Sequence, residues 1–259
     1  MKRLTNILSD IWYVCWREMK HFWGQKVRIL MNIVQPVIWL GLMGNMFSNI
    51  TAIPGFPAKS YLQFMTPGVI AMTSIFGAAF GGMSIVFDRR FGYLNKLLAS
   101  PISRVSIPMG KMLSSALQAG IQSIIIVLIA LALGVKFGTG FPGVLVMVLV
   151  AMLLTLAISG ISLSLSAVLK TQESLMAVVN FLTMPLIFTS NAMFPTNMMP
   201  KWLASIASYN PVSFAVEPMR NLILGSWNWG ALGVDIVALI GFGVLMTIIA
   251  TLLFRRSVA

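Results

Sequence analysis

Residues 88–104 read DRRFGYLNKLLASPISR, a short charged island between two long apolar runs. It carries Asp88, Arg89, Arg90, Lys96 and Arg104 in a chain where charged residues make up only 9%. Its interior has a helical pattern. Leu94, Leu97 and Leu98 fall at i, i+3 and i+4 and share one face. Pro101 ends that turn, because the residue before a proline is pushed out of the α region. A chain that only had to turn around at a membrane would need a few polar residues. This one is expected to build an amphipathic helix with exposed leucines beside a basic cluster. Two readings fit that chemistry equally: a docking surface for a soluble partner, or a basic loop lying on anionic lipid.

The rest of the chain sets the context. Hydrophobic types make up 58% of 259 residues, and the charged fraction is far below the roughly 25% of soluble domains. The apolar runs exceed what a core helix needs, so the fold class is all-α and polytopic in a membrane. The net charge is +12. The basic residues flank apolar runs, which points to the positive-inside rule and away from nucleic acid. Cys15 is the single cysteine and His21 the single histidine. No intrachain disulfide and no His/Cys metal cluster can form. Lys2 and Arg3 could start a signal peptide, but Asp10, Arg17, Glu18 and Lys20 interrupt it, so the N-terminus is expected to be retained.

Residues 4–23 place apolar side chains, among them Trp12 and Trp16, at spacings of three and four, with Asp10, Arg17 and Lys20 largely between them. This predicts an amphipathic helix on the membrane surface, packed on the spans, or both. Spans are expected at about 29–47, 61–87, 108–135, 143–169, 174–191 and 231–254, with a loop containing Pro54, Gly55 and Pro57 after the first. Gly77, Gly81 and Gly82, and the face of Ser159, Gly160, Ser162, Ser164 and Ser166, predict close helix packing.

Residues 192–230 differ. Prolines at 195, 200, 211 and 218 break them into pieces too short to span. Asn197 is a candidate cap for a helix through Ser208. Asn210 followed by Pro211 is a cap-plus-first-turn signal for a second helix, closed by Gly225. The expectation is a re-entrant helical hairpin on the outer side. Six spans then place both termini in the cytoplasm. Of the 18 Lys and Arg residues, only Lys59, Lys136, Lys201 and Arg220 fall outside, a bias that supports this orientation.

Chemistry is sparse. No phosphate-binding loop, nucleophile elbow or zinc-protease motif is present. Glu217 and Arg220 are spaced to pair on a helix face. With Asn210 and Pro211 they also form a candidate outer gate. Asp235 is expected at the interface rather than in a proton relay. An ion-coupled transporter would need more buried ionisable groups. A membrane-embedded lipid-modifying enzyme would need a nucleophile with a base. Both remain alternatives to a subunit that draws its energy from a soluble partner.

At this point the residues carry a resemblance. The run from Arg89 through Gly92, Leu94, Leu97 and Leu98 to Pro101 is similar to a loop of type-2 ABC exporter permeases, in the daunorubicin-resistance and nodulation-type branch. Tyr93 stands where Thr is usual, and Asp88-Arg89 where Glu-Arg is common. The segment 185–222 resembles the same family at Phe194-Pro195, Pro200, Trp202-Leu203, Asn210-Pro211 and Arg220. The resemblance implies one membrane domain over residues 1–259. It implies a dimeric permease, with a second copy or a paralogue, served by two cytoplasmic ABC ATPase subunits that bind Mg-ATP. The chain itself would need no cofactor. The ATPases would be touched by the loop (Arg89, Arg90, Gly92, Leu94, Leu97, Leu98, Pro101) and by the interfacial helix (Trp12, Trp16, Arg17, Glu18). The cargo implied is a drug, lipid or lipid-linked glycan, exported across the cytoplasmic (inner) membrane of a prokaryote.

Overall fold

The architecture is organised around one helix, α3 (Tyr61–Arg90), which is buried along most of its length. The computed structural model describes residues 2–47, 56–58 and 60–257. The expectations for Pro54, Gly55 and Lys59 fall outside these. Before α3 come α1 (Lys2–Gly24) and α2 (Lys26–Met46). After it come α4 (Tyr93–Ala99), α5 (Ser106–Ala132), α6 (Gly140–Val168), α7 (Gln172–Phe188), α8 (Lys201–Ala207), α9 (Pro211–Ile223) and α10 (Trp229–Ser257). Among the described residues there is no strand.

Five helices, α2, α3, α5, α6 and α10, are long and apolar enough to cross a membrane. The sixth expected crossing falls on α7, whose 17 residues sit at the lower end of the required range. It still runs along α3. Leu175 and Val179 pack with Val86 and Ala79 near one end, and the backbone of Ala192 lies against Gly68 near the other. The 18 residues of α3 between Gly68 and Val86 rise roughly 27 Å, close to a hydrocarbon core.

Small residues set how close the helices come. A Cβ on Gly82 would lie 2.3 Å from the Ser162 carbonyl oxygen, and one on Gly68 2.2 Å from that of Ala192. Ser162 Oγ donates to the Ala79 carbonyl at 2.9 Å across the same α3–α6 seam. The expected close packing is in place between Gly82 and Ser162, because only a missing side chain lets two backbones approach this far; Gly77 has nothing within 4 Å, and Gly160 packs instead against Met246 of α10.

The two ends of the bundle are distinct. The end of α3, α4, the start of α5 and the ends of α6 and α10 meet in one apolar cluster, and α1 docks there on α5. At the other end, Gly138 N–H donates to the Ile223 carbonyl at 2.8 Å, and Thr139 Oγ1 donates to that of Leu222 at 2.8 Å. The segment between α7 and α10 lies at this second end. Its internal design departs from expectation at one place. Asn197 does not cap a helix through Ser208. A 3-10 turn (Thr196–Met198) comes first and α8 starts only after Pro200, because proline disfavours helix at the preceding Met199. Asn210 does cap α9: its Oδ1 accepts from Val212 N–H at 2.9 Å, with Pro211 in the first turn.

Candidate coupling site

The site begins with a helix that is longer than expected. α3 continues to Arg90, so Asp88, Arg89 and Arg90 form its last turn and not a loop. Phe91 and Gly92 make the joint. Gly92 adopts φ +69°, ψ +7°, a left-handed conformation that costs glycine little. This turns the chain into α4.

The leucine face of α4 is where expectation and structure part. Leu94 and Leu97 are buried, at 3% and 7% exposure, against Ile85, Ile107, Met112, Leu163, Ala250 and Phe254, and Leu98 packs partly on the same cluster. The leucines do share a face, but the chain's own α3, α5, α6 and α10 cover it. Burying them here removes apolar area from water without any partner. The solvent-open surface here carries Phe91 of the joint (74% exposed) and Tyr93, Asn95 and Lys96 of α4, with Pro101 beyond it. Arg90 is exposed, while Arg89 donates to the Ser166 carbonyl at 3.3 Å and so binds the end of α6.

Beneath α4 lies a set of charges drawn from three helices. Lys111, on α5, is 1% exposed. Its Nζ donates to Asp88 Oδ2 at 2.6 Å, Glu18 Oε1 at 2.8 Å and Ser84 Oγ at 2.8 Å. Arg17 binds Asp88 through both of its terminal nitrogens, one of them to Oδ2 at 3.2 Å, and reaches Glu18 at 3.3 Å. Its guanidinium lies 3.8 Å from the ring centre of Tyr93 at the head of α4. Two cations thus face two carboxylates, and each charge of this set has a hydrogen-bonded counter-charge, as the low-dielectric setting demands. Burial pulls the Arg17 pKa down, but the hydrogen bond to Asp88 and the charges of Asp88 and Glu18 outweigh it and raise it.

This cluster lines one wall of a cavity of about 550 Å³ between α1, α2, α3 and α5. On the opposite wall Arg28 lies 4.1 Å from the Phe80 ring centre and donates to Gln118 at 3.3 Å. The interfacial helix is both surface-seeking and packed. Trp12 and Trp16 stack with ring centres 6.4 Å apart and are half exposed. Val14, Cys15 and Phe22 are buried beneath them. Ser103 N–H donates to Asp10 Oδ2 at 3.2 Å and ties α1 to the loop after α4.

The candidate outer gate comes out differently. Arg220 is 7% exposed, donates to the Asn191 carbonyl at 2.7 Å and stacks 3.8 Å from the Phe64 ring centre. It is an internal clamp on the segment that follows α7. Glu217 accepts from Asn191 Nδ2 at 3.1 Å, so both residues of the expected helix-face pair bind Asn191. The ion pairs among Arg17, Glu18, Asp88 and Lys111 involve neither Glu217 nor Arg220. Asn210 is likewise spent on structure: its Nδ2 donates to the Leu186 carbonyl at 2.8 Å and Thr189 Oγ1 at 2.9 Å.

Lys111 is the site residue that sequence reasoning placed but did not use. A cation five residues into an apolar helix needs a buried counter-charge. Asp88, the single acid of a basic island, was the signal that could have found it.

The described helices form a bundle with five members long and apolar enough to cross a membrane and a charge-locked joint under one polar loop. Residues 9–224 match the ABC-2 type transporter family; the chain belongs to that family and is a transmembrane permease subunit of an ABC exporter. It is 34% identical over 226 residues to the "putative transport permease ycf38" of Porphyra purpurea, covering 86% of this chain and 77% of that one. It is 25% identical over 255 residues to the "daunorubicin resistance ABC transporter permease protein DrrB1" of Streptomyces coeruleorubidus, covering 98% and 89%. It is 23% identical over 199 residues to the "probable doxorubicin resistance ABC transporter permease protein DrrC" of Mycobacterium tuberculosis, covering 77% and 71%. Membership implies ABC ATPase subunits as partners in a membrane complex.

Proposed function

We propose that this permease exports a hydrophobic or amphipathic molecule, of the drug, lipid or lipid-linked glycan class, from the cytoplasm or inner leaflet of a prokaryotic inner membrane. Mg-ATP is bound and hydrolysed in two separate ATPase subunits, and a second permease completes the transporter. Both termini, α1 and α4 face the cytoplasm. The drug-resistance names of two relatives support the cargo class.

The observation that carries the reading is the charge cluster. It joins α1, the last turn of α3 and the first turns of α5 directly under α4. A push on α4 reaches the spans through Arg17 under Tyr93 and through the buried Leu94 and Leu97. The ATPase contact is the open side of α4, with Phe91 and Lys96 as its anchors. The leucines transmit motion and are not themselves docked.

The test separates these roles. Phe91→Ala with Lys96→Glu should reduce the ATPase that co-purifies with tagged permease by roughly tenfold and leave permease unfolding unchanged. Leu94→Ala should do the opposite, lowering permease stability by about 2–4 kcal/mol while the surviving folded protein keeps its ATPase. Normal ATPase retention by the Phe91/Lys96 variant would remove this face from the contact.

A further inference from the structure

Two cavities lie along α10, away from the charge cluster. The upper one, about 430 Å³, is apolar and sits where α5, α6 and α10 meet, lined by Met109 of α5, Leu153 and Leu156 of α6, and Ile240, Val244 and Ile248 of α10. The lower one, about 540 Å³, is lined by Leu252, Arg104, Arg255 and Arg256. Ile240, Val244, Ile248 and Arg255 fall within about 80° of one another around the axis, so they form one stripe down α10. The stripe is open: Val244 and Ile248 are 53% and 52% exposed, and Arg255 and Arg256 are exposed.

Length and charge together specify an occupant. From Ile240 to Arg256 the helix rises roughly 24 Å. One leaflet with its headgroup layer measures about 20–22 Å. The apolar part of the stripe therefore matches an acyl chain in depth and the arginines match a headgroup. Among the described residues no carboxylate lines either cavity. Asp10 is bound to the Ser103 N–H in the neighbouring loop. Arg255 and Arg256, two exposed guanidinium groups at the opening, select an anionic headgroup, because an arginine fork holds phosphate oxygens in pairs. An isolated positive-inside charge would need no groove above it.

We propose that the groove along α10 is a binding site for an anionic phospholipid of the leaflet on the α4 side. An acyl chain lies along Val244 and Ile248, and the phosphate is held by Arg255 and Arg256.

The experiment is lipid retention by the purified full-length permease in detergent, titrated with phosphatidylglycerol or phosphatidylcholine and read by native mass spectrometry. Phosphatidylglycerol should be retained in preference to phosphatidylcholine, and inorganic phosphate should not displace it. Arg255→Gln with Arg256→Gln should lower its retention roughly thirtyfold, about fivefold per cation. Lys20→Gln with Lys170→Gln, an exposed pair elsewhere on the same end, should change it less than about twofold. Val244→Trp should block the groove and lower retention of both lipids. Unfolding temperature checks that each variant is folded; all five positions are on the surface. Equal retention of the two lipids, an equal loss in the Lys20/Lys170 control, or displacement by phosphate would each overturn the site. So would normal binding by Val244→Trp.

Discussion

Two buried polar centres sit at opposite ends of the bundle, and they solve the same problem in different ways. At the α4 end, Arg17 and Lys111 meet Asp88 and Glu18, charge against charge, from three helices. At the other end Arg220 meets a neutral carbonyl and an aromatic face, with Glu217 held nearby through Asn191. The first arrangement joins elements far apart in sequence, since Asp88 lies 71 residues from Arg17 and 23 from Lys111. The second fastens one short helix to the end of its neighbour. A matched ionic set resists loss of any member, because each leaves a partner uncompensated. A single arginine on a carbonyl and a ring combines one hydrogen bond with a planar stack, a pairing that suits arginine in particular.

The largest effect should follow from breaking the ionic set at its hub. Lys111→Ala should destabilise the permease by about 3–5 kcal/mol, as expected when one partner of a buried ion pair is removed. The double change Lys111→Leu with Asp88→Leu should cost less than either single change. Thermal unfolding in one detergent measures both, and a fully additive double mutant would show the charges are not coupled. Next in size is Arg220→Lys, expected to cost about 2 kcal/mol despite keeping its charge, since the bond to Asn191 and the ring stack both need the guanidinium. If lysine substitutes freely there, the two centres do not differ in kind. The smallest is Asn210→Ala, at about 1–2 kcal/mol for a lost helix cap. Asn210→Asp should recover part of it, because the Oδ1 acceptor for Val212 N–H remains while the bonds from Nδ2 are lost.

How far the sequence foretold these centres depends on what kind of statement was needed. The long spans, the Asn210 cap and one close-packed contact were legible because they follow from local pattern: Asn210-Pro211 starts α9, and the Gly82 and Ser162 backbones meet. The position of Leu94, Leu97 and Leu98 on one face was legible too. Which surface covers that face was not, because helical periodicity marks an apolar stripe without saying whether the chain or a partner packs on it. The pairing of Glu217 with Arg220 was one geometric option among several. Asn191, 29 residues before Arg220, competed for both and won. Lys111 read as one more cation at a membrane border, since its partners come from 93 and 23 residues away.

The single thiol of the chain has a practical consequence. Cys15 is fully buried, and burial, then the Glu18 charge, push its pKa up to about 11. At pH 8 scarcely any of it is thiolate, the form that attacks a maleimide. The native permease should therefore stay unlabelled while folded and react only on unfolding. A cysteine introduced at an exposed position becomes the only reactive handle on the molecule. Its reagent accessibility from either side of a sealed vesicle then maps the topology, with the wild-type chain as its own blank.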